Sequence, residues 1–358
     1  MHHARLHTRL ARPFKDSAAM SLAAPARPGP TNSLADLDGL LIGCAEDAAA
    51  RTGVTVVAAP GRAVCGVDVR GGGPGTRETD LLAPENLVDA VDAICLAGGS
   101  VYGLAAADGV VAALGAVGRG FEIASDVKTA PIVPGAILFD LANGGDKDWG
   151  DDPPYRRLGA AALAAAARAV PLGNAGAGFG ALAGALKGGQ GSASIMLGDG
   201  LTVAALACVN SFGSVVMPGT RAFWAWPSEI HGEFGGVRPP ADYAPDPADW
   251  GLAKHPGAAR ENTTIAVVAT NTALTPADCK RVAQMASAGL ARAIRPVFAP
   301  FDGDVVFALS TGAFPLAQPK ALAVTQIGAL AADCLARAVA RGVFAAQTLP
   351  PWKAVRDL

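Results

Sequence analysis

The chain has 358 residues, with 29 basic against 31 acidic side chains and a net charge of −2. At 51% hydrophobic and 17% charged, with few aromatics, it can bury a large core in one big domain or two modest ones, but it offers neither an electrostatic footprint nor stacking platforms for nucleic acid. No span has the dense aliphatic content of a bilayer helix; the longest uncharged stretch near the middle, 169–186, carries five glycines, a proline and an asparagine.

Met1 to about Thr31 is dotted with Arg and His, rich in Pro, and lacks an apolar h-region, so a disordered tail is expected rather than a secretory signal. Met20 is an alternative start. Regular structure is expected from Leu34. Short apolar runs at Val54–Ala58, Ala63–Val69 and Ala93–Ala97, separated by Gly and Pro, read as strands. Arg70–Asp80 is too glycine-rich for a regular element, and Gly103–Leu114 has a helical pattern. Pro131–Leu141 is apolar but holds two prolines, which places it as irregular or edge structure. Tyr155–Val170 is an Ala-rich helix candidate. Gly-punctuated apolar runs between Ala175 and Met217 read as sheet with tight turns.

Pro227–Glu261 is the sharpest break, with six prolines, His231, His255 and little periodicity. A structureless stretch of that length inside a compact protein is uncommon and usually functional. The pattern then changes. Thr263–Ala269 is a β-branched strand. Thr275, Pro276 and Asp278 supply an N-cap, a first-turn proline and a first-turn acid. Val282, Met285, Ala286, Leu290, Ala293 and Ile294 follow at helical spacing. Asp304–Leu309 is a strand, and Val324 to Val339 a last amphipathic helix. The C-terminal piece alone therefore reads β-α-β-α.

Several catalytic systems are disfavoured. A histidine-based triad needs a positioned imidazole, yet only His231 and His255 lie outside the tail, both in the Pro-rich stretch. Gly98-Gly99-Ser100-Val101-Tyr102 resembles a nucleophile elbow with Tyr102 in place of its second glycine; a tight glycine turn is the plainer reading of Ser100. Gly178–Ala183 matches GxGxxA without the acidic residue that a dinucleotide site wants. His231-Gly232-Glu233 lacks the cysteine pair of a zinc deaminase. The cysteines, Cys44, Cys65, Cys95, Cys208, Cys279 and Cys334, are scattered without a CxxC and mostly sit in apolar runs. They read as reduced core residues of a cytoplasmic protein, with no metal and no cofactor.

Glu261-Asn262-Thr263-Thr264 sets a hydroxyl residue where the loose stretch meets a strong strand. If Thr263 attacks the preceding carbonyl, an N-to-O acyl shift and hydrolysis release a threonine with a free α-amine. That amine has a reference pKa of roughly 7.7–8.0 and can serve as general base near neutral pH. Locally, a Thr pair at a strand start also fits plain β propensity.

The segments GGGPGTRETDLL (71–82), AICLAGGSVYGL (93–104), APIVPGAILFDLANGG (130–145), KGGQGSAS (187–194), VNSFGSVV (209–216), NTTIAVVATN (262–271) and DGDVVFAL (302–309) together resemble the DmpA-type L-aminopeptidase/D-amidase-esterase family, which includes the β-peptidyl aminopeptidases and the nylon-oligomer hydrolase NylC. The likeness runs from about Leu34 to Val343. It implies an α/β fold, the four-layer α-β-β-α sandwich of the N-terminal-nucleophile and ornithine-acetyltransferase type. It also implies a precursor that cleaves itself between Asn262 and Thr263, giving a larger chain from 32–262 and a smaller one from 263–358. By position, Thr263 is the nucleophile and Thr264 the neighbouring hydroxyl. Lys187 stabilises charge or keeps the new amine unprotonated, and Asn210 donates to the oxyanion. Asp302 and Asp304 orient the nucleophile, where the β-peptidyl enzymes have a serine and a glutamate. Where several members carry an oxyanion tyrosine this chain has Phe139, which cannot donate; Tyr102 or a backbone N–H would substitute, and Ser100, Tyr102, Phe139 and Thr264 are the expected pocket.

The implied activity is hydrolysis of small peptides or amides through an acyl-enzyme, as an aminopeptidase or, alternatively, as a NylC-like endo-hydrolase of 6-aminohexanoate oligomers. The partner would be the chain's own cleaved half, in a higher homo-oligomer. An ornithine-acetyltransferase-like acyltransferase and an uncleaved binding homologue are the rival readings.

Overall fold

The computed structural model describes residues 26–254 and 262–358. Its strands are β1 (Leu41–Asp47), β2 (Thr52–Val69), β3 (Thr76–Arg77), β4 (Ala90–Ala97), β5 (Gly135–Ile137), β6 (Leu182–Ala183), β7 (Leu186–Lys187), β8 (Gly189–Met196), β9 (Thr202–Asn210), β10 (Thr263–Thr272) and β11 (Val305–Phe314). The helices are α1 (Ala106–Ala116), α2 (Tyr155–Ala164), α3 (Pro276–Ala293) and α4 (Lys320–Ala345). The main sheet runs β3-β5-β4-β2-β11-β10-β9-β8, and β1 pairs with the first half of β2.

Period-two burial divides this sheet into two faced layers. Ile265, Val267 and Ala269 of β10, Phe307 and Leu309 of β11, and Leu206 of β9 meet Ile42, Val57, Ile94 and Leu96 in a central core. The alternate residues Ala266, Val268, Val306 and Ala308 face α3 and α4. On the other side Val54, Val56, Ala93 and Cys95 face α1 and α2. Side chains alternate across a strand, so each strand serves both the sheet-sheet core and one helix layer. The result is the expected α-β-β-α sandwich.

β2 belongs to both layers. It pairs with β1 through Ala58, with β4 through Val64 and with β11 from Val64, and its register against β4 shifts between Ala58 and Ala63. The helices sit unusually close to the strands. A Cβ on Gly43 would lie 1.8 Å from the Ala162 carbonyl oxygen, and one on Gly191 would lie 2.0 Å from that of Ala338. Only glycine permits such backbone approach.

Helix α3 begins as expected. The Thr275 hydroxyl accepts from the Asp278 N–H, the Asp278 carboxylate accepts from the Thr275 N–H, and Pro276 opens the first turn. Helix α4 is long and apolar enough to cross a membrane, but most of its apolar window is buried inside the fold. It also carries Arg337, fully buried. That guanidinium donates to Glu233 at 2.6 and 3.0 Å, to the Asn32 side chain at 2.8 Å and to the Ser194 carbonyl at 2.9 Å.

This network corrects two expectations. The tail does not extend to Thr31: Arg27 pairs with Met196, and the Gly29 N–H donates to the Ser194 hydroxyl. Residues 1–25 lie outside the described residues. The Pro-rich stretch lacks long elements as expected, yet Glu233 and the buried Phe234 tie it to α4. Its last part, 255–261 with His255, lies outside the described residues. Two other elements differ. Most of 131–141 is irregular as expected, but its strand β5 lies inside the sheet between β3 and β4 and is no edge. Helix α2 stops at Ala164, because Ala167 exchanges both backbone hydrogen bonds with Ile42 instead.

Candidate active site

The antiparallel register of β9 and β10 sets Thr263 opposite Asn210. The parallel register of β10 and β11 extends outward to a bridge between Asn262 and Asp302. Thr263, Asn262, Asn210, Asp302, Asp304 and Lys187 are all buried. The fold thus gathers four of the expected residues, Thr263, Asn210, Asp302 and Asp304, at one end of three adjacent strands.

In the continuous chain the Thr263 hydroxyl donates to the carbonyl oxygen of Asn262, its own upstream neighbour. The same oxygen accepts from the Gly303 N–H at 3.1 Å. One residue downstream, the Thr264 N–H donates to Asp304 Oδ1 at 2.6 Å. The segment Asp302-Gly303-Asp304 therefore grips the chain on either side of the Asn262–Thr263 junction.

That segment is itself fixed. The Ala299 N–H donates to Asp302 Oδ2 at 2.8 Å and the Phe298 N–H to Asp304 Oδ2 at 3.3 Å. The Gly73 N–H donates to the Asp302 carbonyl at 2.7 Å, and those of Arg70 and Gly71 to the Asp304 carbonyl. The run Gly71–Gly73 seats directly on it: Cβ atoms on Gly71 and Gly72 would meet the Asp302 and Pro300 carbonyl oxygens at 2.3 Å. This contact explains the first two glycines, whereas a Cβ on Gly73 would meet nothing nearer than 3.7 Å.

Burial raises the Asp304 carboxyl to about 7, the charge of Asp302 pushing it further up while the N–H groups of Thr264 and Phe298 oppose. Burial also raises Asp302, against the Ala299 N–H and the positive charge of Lys254. Two carboxylates this close and this dry resist being ionised together. Lys254, in the Pro-rich stretch, was not a sequence candidate; nothing in its local pattern distinguishes it.

Asn210 is held from both ends. Its Oδ1 accepts from the Leu182 N–H at 2.8 Å, and its Nδ2 donates to the Phe139 carbonyl at 2.8 Å. Phe139 thus contributes its backbone rather than its ring. Lys187 stands behind Asn210, because Lys187 pairs with Leu182 across β6 and β7. Its ammonium donates to the carbonyls of Gly178, Ala181 and Gly188 at 3.1, 3.0 and 2.7 Å. Burial lowers it to about 7, with Asp140 pulling the other way. Among the described residues Lys187 makes no hydrogen bond to Thr263.

Asp140 was also missed from sequence. It accepts from the Thr52 hydroxyl at 2.6 Å and the Gly99 N–H at 2.7 Å. It thereby fastens the loop carrying Phe139 to the Gly98–Gly99 turn, where Gly99 has φ +84°. Ser100 donates its N–H to the Leu138 carbonyl. Tyr102 is half exposed and stacks edge-on against Trp149 at 5.7 Å. Thr264 is fully buried, and its hydroxyl has no hydrogen-bond partner among the described residues. Next to the bridge, Phe212 packs on Phe301 at 4.8 Å and on Trp250 at 6.0 Å, an aromatic wall beside Asn210 and Asp302.

Comparison with known proteins identifies the family and the fold. The model of peptidase family S58 matches residues 32–355, and the chain belongs to that family. An uncharacterized aminopeptidase of Mycobacterium bovis is 47% identical over 346 residues, spanning 91% of this chain and 98% of that protein. A 6-aminohexanoate-oligomer endohydrolase of Agromyces sp. is 30% identical over 319 residues, spanning 85% and 84%. Among solved structures, the L-aminopeptidase D-Ala-esterase/amidase of Ochrobactrum anthropi, described as a variant of the Ntn hydrolase fold, aligns with a TM-score of 0.64 at 21% identity, over 91% of this chain and 90% of that one. The chain is a peptidase-family enzyme with this fold.

Proposed function

We propose that this member of peptidase family S58 is an amide hydrolase that creates its own nucleophile by cleavage between Asn262 and Thr263. The observation that carries the reading is the contact of the Thr263 hydroxyl with the Asn262 carbonyl, at a junction held on both sides by the Asp302–Asp304 segment.

Cleavage leaves Thr263 with a free α-amine. That amine takes the hydroxyl proton as Thr263 attacks a substrate carbonyl, and returns it to the leaving amine. Asn210 Nδ2 turns from the Phe139 carbonyl to the developing oxyanion. Water then releases the acyl group. Asp304 holds the Thr264 N–H, and so fixes the nucleophile's strand. Lys187 acts at one remove, by holding the turn that seats Asn210. No cofactor enters these steps. The smaller product would have 358 − 262 = 96 residues and stay bound to the larger.

The substrate class we favour is short peptides and amino-acid amides, cleaved as an aminopeptidase; the mycobacterial relative carries that description. Endo-hydrolysis of 6-aminohexanoate oligomers is the second reading, favoured by the Asp302/Asp304 pair and the Agromyces relative.

Intact mass under denaturing conditions tests the first step. Two species summing to the precursor plus one water, the smaller beginning at Thr263, are expected, and Thr263→Ala should stay whole and lose turnover by about 10⁴-fold or more. A Thr263→Ala protein that is cleaved and active would sink the proposal. Side-by-side hydrolysis of amino-acid amides and 6-aminohexanoate oligomers separates the two substrate readings.

A further inference from the structure

We infer that the backbone N–H of Gly303 is the oxyanion donor of the self-cleavage step, a role separate from that of Asn210. The inference rests on the cleavage reading above.

In that step the Thr263 oxygen adds to the Asn262 carbonyl carbon, and the C=O π pair moves onto the carbonyl oxygen. The C–N bond to Thr263 then breaks, and the hydroxyl proton ends on the departing nitrogen. The charge therefore develops on the Asn262 oxygen. In the uncleaved chain, the donor best suited to this step is one that already points at that oxygen and keeps its place when the charge appears.

The Gly303 N–H meets both conditions. It lies 3.1 Å from the Asn262 oxygen. Its two neighbours are pinned: Asp302 by the N–H groups of Gly73 and Ala299, Asp304 by its bonds to Thr264 and Phe298. Asn210 is otherwise engaged, its Nδ2 on the Phe139 carbonyl and its Oδ1 on the Leu182 N–H.

The residue type fits the role. A Cβ at position 303 would stand 2.5 Å from the Thr263 hydroxyl oxygen and 3.0 Å from the Gly73 carbonyl oxygen. Glycine therefore brings its N–H to the scissile carbonyl while leaving the attacking oxygen room. This gives the spacer of the Asp-Gly-Asp segment a chemical task of its own.

Ordinary substitution cannot remove a backbone N–H without adding atoms, so the test replaces Gly303 by glycolic acid during translation. This puts an ester oxygen where the nitrogen was. Self-cleavage should slow by about a hundredfold to a thousandfold, read as precursor remaining in a time course. Cleavage within threefold of the parent's rate would overturn the inference. The same ester placed in Thr263→Ala, melting with its amide counterpart, shows that a slow reaction is not a folding defect. A second readout uses no ester. Hydrogen exchange at the Gly303 amide should be slow in intact Thr263→Ala and faster in cleaved wild type, where the Asn262 acceptor has left; equal rates would also overturn the assignment. A parent chain that never cleaves overturns the parent reading and this one together, whereas a parent that cleaves normally with the ester in place overturns this one alone.

Discussion

Upstream of Thr263, Asn210 and Lys187 sit among groups that match them: among the described residues Lys187 donates to three carbonyls, and Asn210 meets an N–H and a carbonyl. Downstream, Asp302 and Asp304 are also well hydrogen-bonded, yet they are two like charges in a dry place, and Asp302 Oδ1 has no hydrogen-bond partner among the described residues. One flank is a finished scaffold. The other keeps electrostatic tension beside the bond proposed to break. Burial perturbs ionisation on both flanks, lowering Lys187 and raising the two aspartates, but only the downstream pair adds like-charge repulsion to it.

Breaking the quiet flank at Asn210 should have the largest effect. Asn210→Ala removes the proposed oxyanion amide from substrate turnover, and kcat for an amino-acid amide should fall about a hundredfold to a thousandfold. A fall of less than tenfold would move that task to a backbone donor and blur the contrast between the flanks.

Lys187→Met tests the same flank through stability. It leaves three buried carbonyls without their donor, and urea unfolding at pH 7 should lose about 1–3 kcal/mol. The pH profile carries the sharper signature. The folded value of about 7 lies below the reference 10.5, so the unfolded chain binds more protons between them and stability rises with pH across that window. In Lys187→Met that rise should vanish. If the slope is unchanged, the lysine remains charged in the interior.

The smallest effect is expected at Asp304. Its folded value of about 7 lies above the reference 3.8, so its stabilising contribution is present below pH 3.8 and lost as pH rises to about 7. Asp304→Asn keeps an oxygen for the Thr264 N–H and removes the titration. In the uncleaved Thr263→Ala background, it should flatten the decline of Tm over that range. Parallel curves for the two proteins would mean that the downstream flank is relieved after all.

The C-terminal half was readable because its signals are local. The Thr275–Asp278 cap, the helical spacing of Val282 to Leu290 and the alternation of β10 each follow from a few adjacent residues. β2 was harder. Pro60 and Gly61 look like a turn, but the strand continues through them with a shifted register. The alanines after Ala164 have helical propensity, and pairing of Ala167 with Ile42 overrides it. At the site, Thr263, Asn210, Asp302 and Asp304 were named in advance through the family likeness, with chemistry adding only the hydroxyl beside its own future amine. Gly303 and Asp140 were invisible for a physical reason. One acts through a backbone N–H that every residue but proline has, and the other joins segments distant in sequence.

The order β2-β11-β10-β9 puts the two strands that follow the Asn262–Thr263 junction between two strands that precede it. Neither fragment could complete that sheet unaided, since each would expose a raw strand edge to the other's absence. Continuity of the polypeptide would thus be a requirement of assembly and not of the assembled enzyme. A gene encoding the two pieces separately would test assembly, whereas the mature protein, cut before Thr263, would keep the strand pairing of β10 with β9 and of β11 with β2.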